Sequence, residues 1–149
     1  MSNSVADLRG RTIGIPGERT TAFLALCLCL GRGAFAHRVL MFDRIPEAAA
    51  RGEIDAGLII HEAQLTYARL GLHKIVDLAE WWGGLTGLPL PLGGNVIRRD
   101  LGATAMGEVA RLLRASIEYG LAHREEAVRY ALVFGRDLDR DLTDRFVGM

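Results

Sequence analysis

Cysteine is scarce in this sequence: Cys27 and Cys29 are the only two in 149 residues. Two apart in a helical pattern, they point in different directions and cannot close a disulfide. Thiols in such a setting act as small hydrophobes. Without further cysteines a zinc site would have to recruit from four scattered histidines, no pair of which has ligand spacing. No metal is therefore expected, and no cofactor is expected either. Net charge is also lacking, because 18 basic and 18 acidic residues cancel, and no Lys/Arg cluster is long enough to track a polyanion. Nucleic acid is not an expected partner. The longest apolar run, Ala22 to Leu30, is less than half of the ~20 residues that span a bilayer, so no membrane partner is expected either. The first ten residues hold no basic segment followed by an apolar one, which predicts a cytoplasmic protein without a secretory leader. Internal repeats and low-complexity segments are absent as well.

The 149 residues that remain are enough for one domain that buries roughly two-thirds of its unfolded surface. After an unpaired leader over Met1 to Ala6, Thr12 to Pro16 reads as a strand closed by Pro16-Gly17. Thr20 or Thr21 can cap the helix that follows, and Ala22 to Leu30 is apolar nearly all round, as in a helix buried against a sheet. Val39 to Asp43 reads as a second strand, Ile45 to Gly52 as a helix with Pro46 in its first turn, and Asp55 to Ile60 as a third strand. Glu62 to Leu70 is helical up to Gly71, and His73 to Leu78 returns as a strand. Glu80 to Thr86 is a short helix or loop, Gly87 to Pro91 is too proline-rich for a central strand, and Leu92 to Arg98 is extended. From Thr104 the pattern turns helical, with Met106, Val109, Ala110, Leu113, Ile117, Gly120 and Leu121 repeating at three and four. A second helix over Arg124 to Phe134 and a polar Arg/Asp tail end the chain. Strands alternating with helices predict an α/β fold with a mostly parallel sheet flanked by helices.

Two stretches carry possible chemistry. Leu58, Ile59 and Ile60 form a run suited to a strand buried on both faces, and it ends on His61. Ligands sit outside the carboxyl ends of strands in open α/β sheets. An imidazole there can take or return a proton near neutral pH, so His61 is the candidate general base. Glu62 either orients it or places negative charge at a helix start. The plain alternative is that His61 caps the next helix or packs at a strand end. The second stretch is Pro16-Gly17-Glu18-Arg19-Thr20-Thr21-Ala22, where a helix start offers free N–H groups to a carboxylate or phosphate. Ordinary capping is the alternative, and neither a P-loop nor a dinucleotide fingerprint is present. His37, His73 and His123 read as surface residues. Trp81 and Trp82 read as partly buried core rather than a pocket lining.

Together these residues resemble a known family. The Pro16 to Ala22 stretch, Gly52 to Glu62 with Thr66 and Tyr67, Asp77 to Trp82, Thr86 to Gly94 and Arg98 to Leu101 resemble the 1,4-dihydroxy-6-naphthoate synthases, lyases of the futalosine route to menaquinone. The resemblance runs from about Leu8 to the last helices. It implies a two-lobed fold like type II periplasmic binding proteins, with this chain as the second lobe plus C-terminal return helices. Residues 8–98 would form the α/β lobe, and residues 99–149 would pack on a first lobe absent from this chain. The implied reaction opens cyclic dehypoxanthine futalosine to 1,4-dihydroxy-6-naphthoate, with His61 as the proton acceptor and Thr21 and Ala22 as substrate contacts. A small-molecule substrate is the implied partner, together with either a complementary first-lobe chain or a homo-oligomer. The rival readings are a non-catalytic module that binds small carboxylates and an inactive gene fragment.

Overall fold

Ile13 and Ile15 define the first strand, β1 (Thr12–Ile15), because alternate residues of a strand share a face and both of these are buried while Gly14 faces the other way. The computed structural model describes residues 4–134 and 139–147. Within these the chain divides into two units, Met1–Gly93 and Gly94–Met149.

In the first unit β1 leads into α1 (Thr21–Leu30), which lays Leu26 and Leu30 against Ile13 and Ile15 and ends at Gly31, whose φ of 97° suits glycine. Its outer face does not match an apolar helix buried all round: Leu24 and Leu28 are 58% and 55% exposed. Next comes β2 (Ala36–Val39), displaced toward the N-terminus from the expected Val39 to Asp43. Pairing decides this, since β1 aligns Thr12 with Ala36 and Ile15 with Val39, after which Phe42–Arg44 coil into a 3₁₀ turn. Pro46 then sits in the first turn of α2 (Ile45–Ala50). The third strand, β3 (Ala56–Gly57), is shorter than the expected Asp55 to Ile60. Backbone bonds from Asp55 N–H to Thr12 O and from Leu58 N–H to Gly14 O mark the limits of its contact with β1, and Ile59 and Ile60 beyond them are only half-buried.

The strand order is β2-β1-β3, all parallel, a small three-stranded sheet flanked by helices in a mixed α/β fold. On the α1 face Ile13, Ile15 and Leu58 pack with Leu26, Leu30 and Phe35. The opposite face is bare where Gly14 pairs with Gly57. A Cβ added at Gly14 would lie 2.5 Å from Ile54 Cδ1, and one at Gly57 would lie 2.6 Å from Ile45 Cγ2. The two glycines thus make the hollow that Ile45, fully buried, fills from α2.

Beyond β3, α3 (Ala63–Thr66) runs into a 3₁₀ turn, Tyr67–Leu70, stopped by Gly71 at φ 72°. The strand expected over His73 to Leu78 is absent. Asp77 instead accepts bonds from the N–H groups of Ala79 and Glu80 and starts α4 (Leu78–Thr86), while Ile75 and Leu78 pack on the α1-side core. Trp81 and Trp82 on α4 are half-buried, with ring centroids 6.3 Å apart. The segment 88–98 pairs with no strand. At the other end, the expected leader over Met1 to Ala6 falls partly outside the described residues. From Val5 it forms a 3₁₀ turn to Leu8, which is buried in the core.

The second unit is helical: α5 (Gly102–Ala122), α6 (Arg124–Leu132) and α7 (Arg140–Val147). Part of the expected polar tail is therefore α7, and the rest of that tail, 135–138 and 148–149, lies outside the described residues. Ion pairs Arg124–Asp144 and Arg140–Glu125, each at 2.7 Å, join α6 to α7, and Val128 and Thr143 are buried. On α5 no residue is buried, and Val109, Leu112, Leu113, Ile117 and Leu121 are all exposed.

Candidate active site

Parallel strands send their carboxyl ends to one edge of the sheet, and the order β2-β1-β3 makes the gap between β1 and β3 the switch point where ligands bind in open α/β sheets. Two of the predicted functional stretches emerge there. One is the start of α1. Thr20 resolves the capping alternative: its Oγ1 accepts from the Phe23 N–H at 3.1 Å and donates to the Gly17 carbonyl at 2.8 Å. The first intrahelical bond runs from Leu24 N–H to Thr20 O. Among the described residues the backbone N–H groups of Thr21 and Ala22 have no acceptor. These two donors stand at the positive end of the helix. The Thr21 hydroxyl makes one long bond, 3.5 Å, to the Leu92 carbonyl.

The other is His61, three residues past the last ladder bond of β3. It is the one non-glycine residue with positive φ among those described, at 57°, a conformation uncommon outside glycine that Asn, Asp and His adopt more often than other residues. The turn holds it so, as its carbonyl accepts from Gln64 N–H at 3.2 Å and from Gln64 Nε2 at 3.0 Å. The imidazole packs against the Phe42 ring, centroids 4.8 Å apart. His61 is exposed. Glu62 does not orient it, since no hydrogen bond or ion pair links the two among the described residues, and Glu62 stands at the start of α3. Non-glycine residues held in the left-handed region cluster at functional sites because the strain persists only where its surroundings enforce it. The sheet thus brings Thr21, Ala22 and His61 to one edge.

The remaining candidates sort differently. His123 stacks on Tyr119 at 3.9 Å with Nδ1 3.0 Å from the Tyr119 carbonyl, an arrangement internal to α5 and the start of α6. His37, read as a surface residue, is on the surface but engaged: Nε2 lies 2.9 Å from Glu18 Oε1, and its ring sits 5.0 Å from Phe23. The signal that could have revealed this is the alternation Phe35-Ala36-His37, which puts His37 on the strand face that carries Phe35. The Trp82 indole N–H is buried without an acceptor among the described residues. Burial pushes the Cys29 thiol up, away from a reactive thiolate. No group of three or more His, Cys, Asp or Glu side chains among the described residues is arranged to hold a metal ion. No helix among them is long and apolar enough to cross a membrane.

A profile of the family described as menaquinone biosynthesis matches residues 1–147. A 1,4-dihydroxy-6-naphtoate synthase of Streptomyces coelicolor is 40% identical over 148 residues, which cover 97% of this chain and 52% of that protein. One of Thermus thermophilus is 43% identical over 135 residues, 91% of this chain and 49% of that protein. A crystal structure of a protein from Archaeoglobus fulgidus matches with a TM-score of 0.87 at 44% identity, over 94% of this chain and 52% of that one. The chain spans about half the length of the curated relatives it matches.

Proposed function

The chain belongs to the menaquinone biosynthesis family, and on that premise we propose that it forms the His61-bearing wall of a 1,4-dihydroxy-6-naphthoate synthase, a cytoplasmic carbon–carbon lyase acting on cyclic dehypoxanthine futalosine. The observation that carries the reading is the shared edge: two unengaged N–H groups, of Thr21 and Ala22, and a base, His61, at the switch point between β1 and β3. The N–H pair would receive the substrate's carboxylate, which fixes the ring, and His61 would take a proton from the substrate as the ring opens. Phe42 limits the imidazole's rotation and so positions it.

In this reading the fold is one lobe of a type II periplasmic-binding-protein-like cleft. The opposite wall corresponds to the half of the relatives that this chain does not match, and the same half covers the exposed stripe of α5 from Val109 to Leu121. Exposed apolar surface of that extent marks an interaction site. A half-cleft leaves the ring open to water and incompletely held, so turnover by the isolated chain is expected to be slight. With a complementary lobe supplied, His61→Ala is expected to lower turnover by about 10²-fold or more while leaving the circular dichroism unchanged. Near-normal product formation by that variant would remove His61 from the chemistry. If naphthoate binds at the α1 start but no lobe restores turnover, the chain is a carboxylate-binding module instead.

A further inference from the structure

We propose that His37 is a positioning residue that secures carboxylate specificity by holding the charge of Glu18 away from the ligand. The inference rests on the carboxylate reading above. Glu18 lies two residues before the cap Thr20, so a negative side chain stands beside a helix start proposed to receive a negative ligand. Left free, it would oppose binding. The structure ties it down: His37 Nε2 lies 2.9 Å from Glu18 Oε1. A carboxylate only accepts, so the hydrogen of this bond is on Nε2.

The direction of the tie is what matters. His37 is on β2, aligned with Ile13 of β1, and β2 lies on the opposite side of β1 from β3 and His61. The bond therefore draws the Glu18 carboxylate to the side of the sheet away from the β1/β3 gap. His37 can hold it there because its own ring is held, with Phe23 at 5.0 Å and Phe35 at 6.5 Å. Phe23 belongs to the first turn of α1 and gives its N–H to Thr20, so the support comes from the helix start itself. As an ion pair, 32% and 63% exposed, it contributes little to stability. Its effect is on where a charge stands.

The test is a titration of the full chain with 2-naphthoate, followed by NMR, beside the neutral 2-naphthamide. His37→Ala releases Glu18 and is expected to weaken 2-naphthoate by about three- to tenfold, the repulsion of two carboxylates several ångströms apart in partly screened surroundings. Adding Glu18→Gln to that variant restores the affinity, Glu18→Gln alone leaves it equal or tighter, and His37→Gln, which keeps a donor at the Nε2 position, stays near wild type. Affinity for 2-naphthamide changes in none of them. A merely structural latch behaves otherwise: Glu18→Gln alone weakens binding and the double variant is not rescued. Either result overturns the proposal, and the exposed Glu18→Gln variant decides even if His37→Ala does not fold. A wild-type chain that does not bind 2-naphthoate overturns the carboxylate reading and this role with it. Binding by wild type without the pattern of rescue overturns the role of the pair alone.

Discussion

The sheet unit and the helical unit dispose of their apolar side chains in opposite ways. In Met1–Gly93, Ile13, Ile15 and Ile45 are almost wholly removed from water, and two core clusters cover the two faces of the sheet. In Gly94–Met149 the longest helix buries nothing, and Val128 is the one buried apolar residue among those described. Both units obey the same helical or strand periodicity, so pattern alone does not distinguish them. What differs is whether the unit itself supplies the opposing surface. The sheet is covered by its own helices, whereas the α5 stripe presents Leu113 and Ile117 to solvent.

Substitutions can break or sharpen that contrast. The largest effect is expected from Ile45→Ala, which empties the hollow over Gly14 and Gly57 and should lower unfolding stability by about 3–4 kcal/mol in urea titrations followed by the fluorescence of Trp81 and Trp82. A loss below about 1 kcal/mol would mean that the α2 face is not a packed core. His61→Gly is expected to raise stability by about 0.5–1 kcal/mol, because glycine adopts φ 57° without the steric penalty of a Cβ. A destabilised variant would show that contact with Phe42 outweighs the backbone strain. The smallest effect is expected from Leu113→Asp combined with Ile117→Asp, within about 0.5 kcal/mol in the isolated chain. The same pair should abolish association with a complementary lobe in sedimentation or pull-down measurements. A large loss of stability in the isolated chain would instead mean that the stripe is already covered.

Features fixed by neighbours in sequence were the ones legible in it. Pro16-Gly17 and the two threonines announce the start of α1, and the spacing from Val109 to Leu121 announces α5, because turn chemistry and helical period are local. Strand limits were not, because partners set them. Val39 to Asp43 has the composition of a strand, but the ladder runs from Ala36 to Val39 since those residues lie opposite Thr12 to Ile15. His73 to Leu78 has it too, yet Asp77 near its end caps α4, and Ile75 and Leu78 reach the core without a ladder. At the site, Thr21 and Ala22 could be placed at a helix start, whereas the strand expected to end on His61 stops at Gly57 and His61 follows in the segment beyond it. The contact of His61 with Phe42 and the tie between Glu18 and His37 each join residues 19 apart that sequence does not bring together, and the left-handed backbone of His61 has no signature in a residue type that is neither Gly nor Asn.

The paired glycines also govern how the sheet is assembled. With only Ala56 and Gly57 in the β3 ladder, hydrogen bonding distinguishes poorly between neighbouring alignments. Sterics do so decisively: sliding β3 by one position would set Ala56 or Leu58 beside Gly14 and drive a side chain into the space Ile45 occupies. The absence of two side chains thus acts as a gauge that admits one alignment, and with it fixes how far past the sheet His61 emerges. A replacement at Gly57 would therefore disturb the position of His61 as well as the packing of α2.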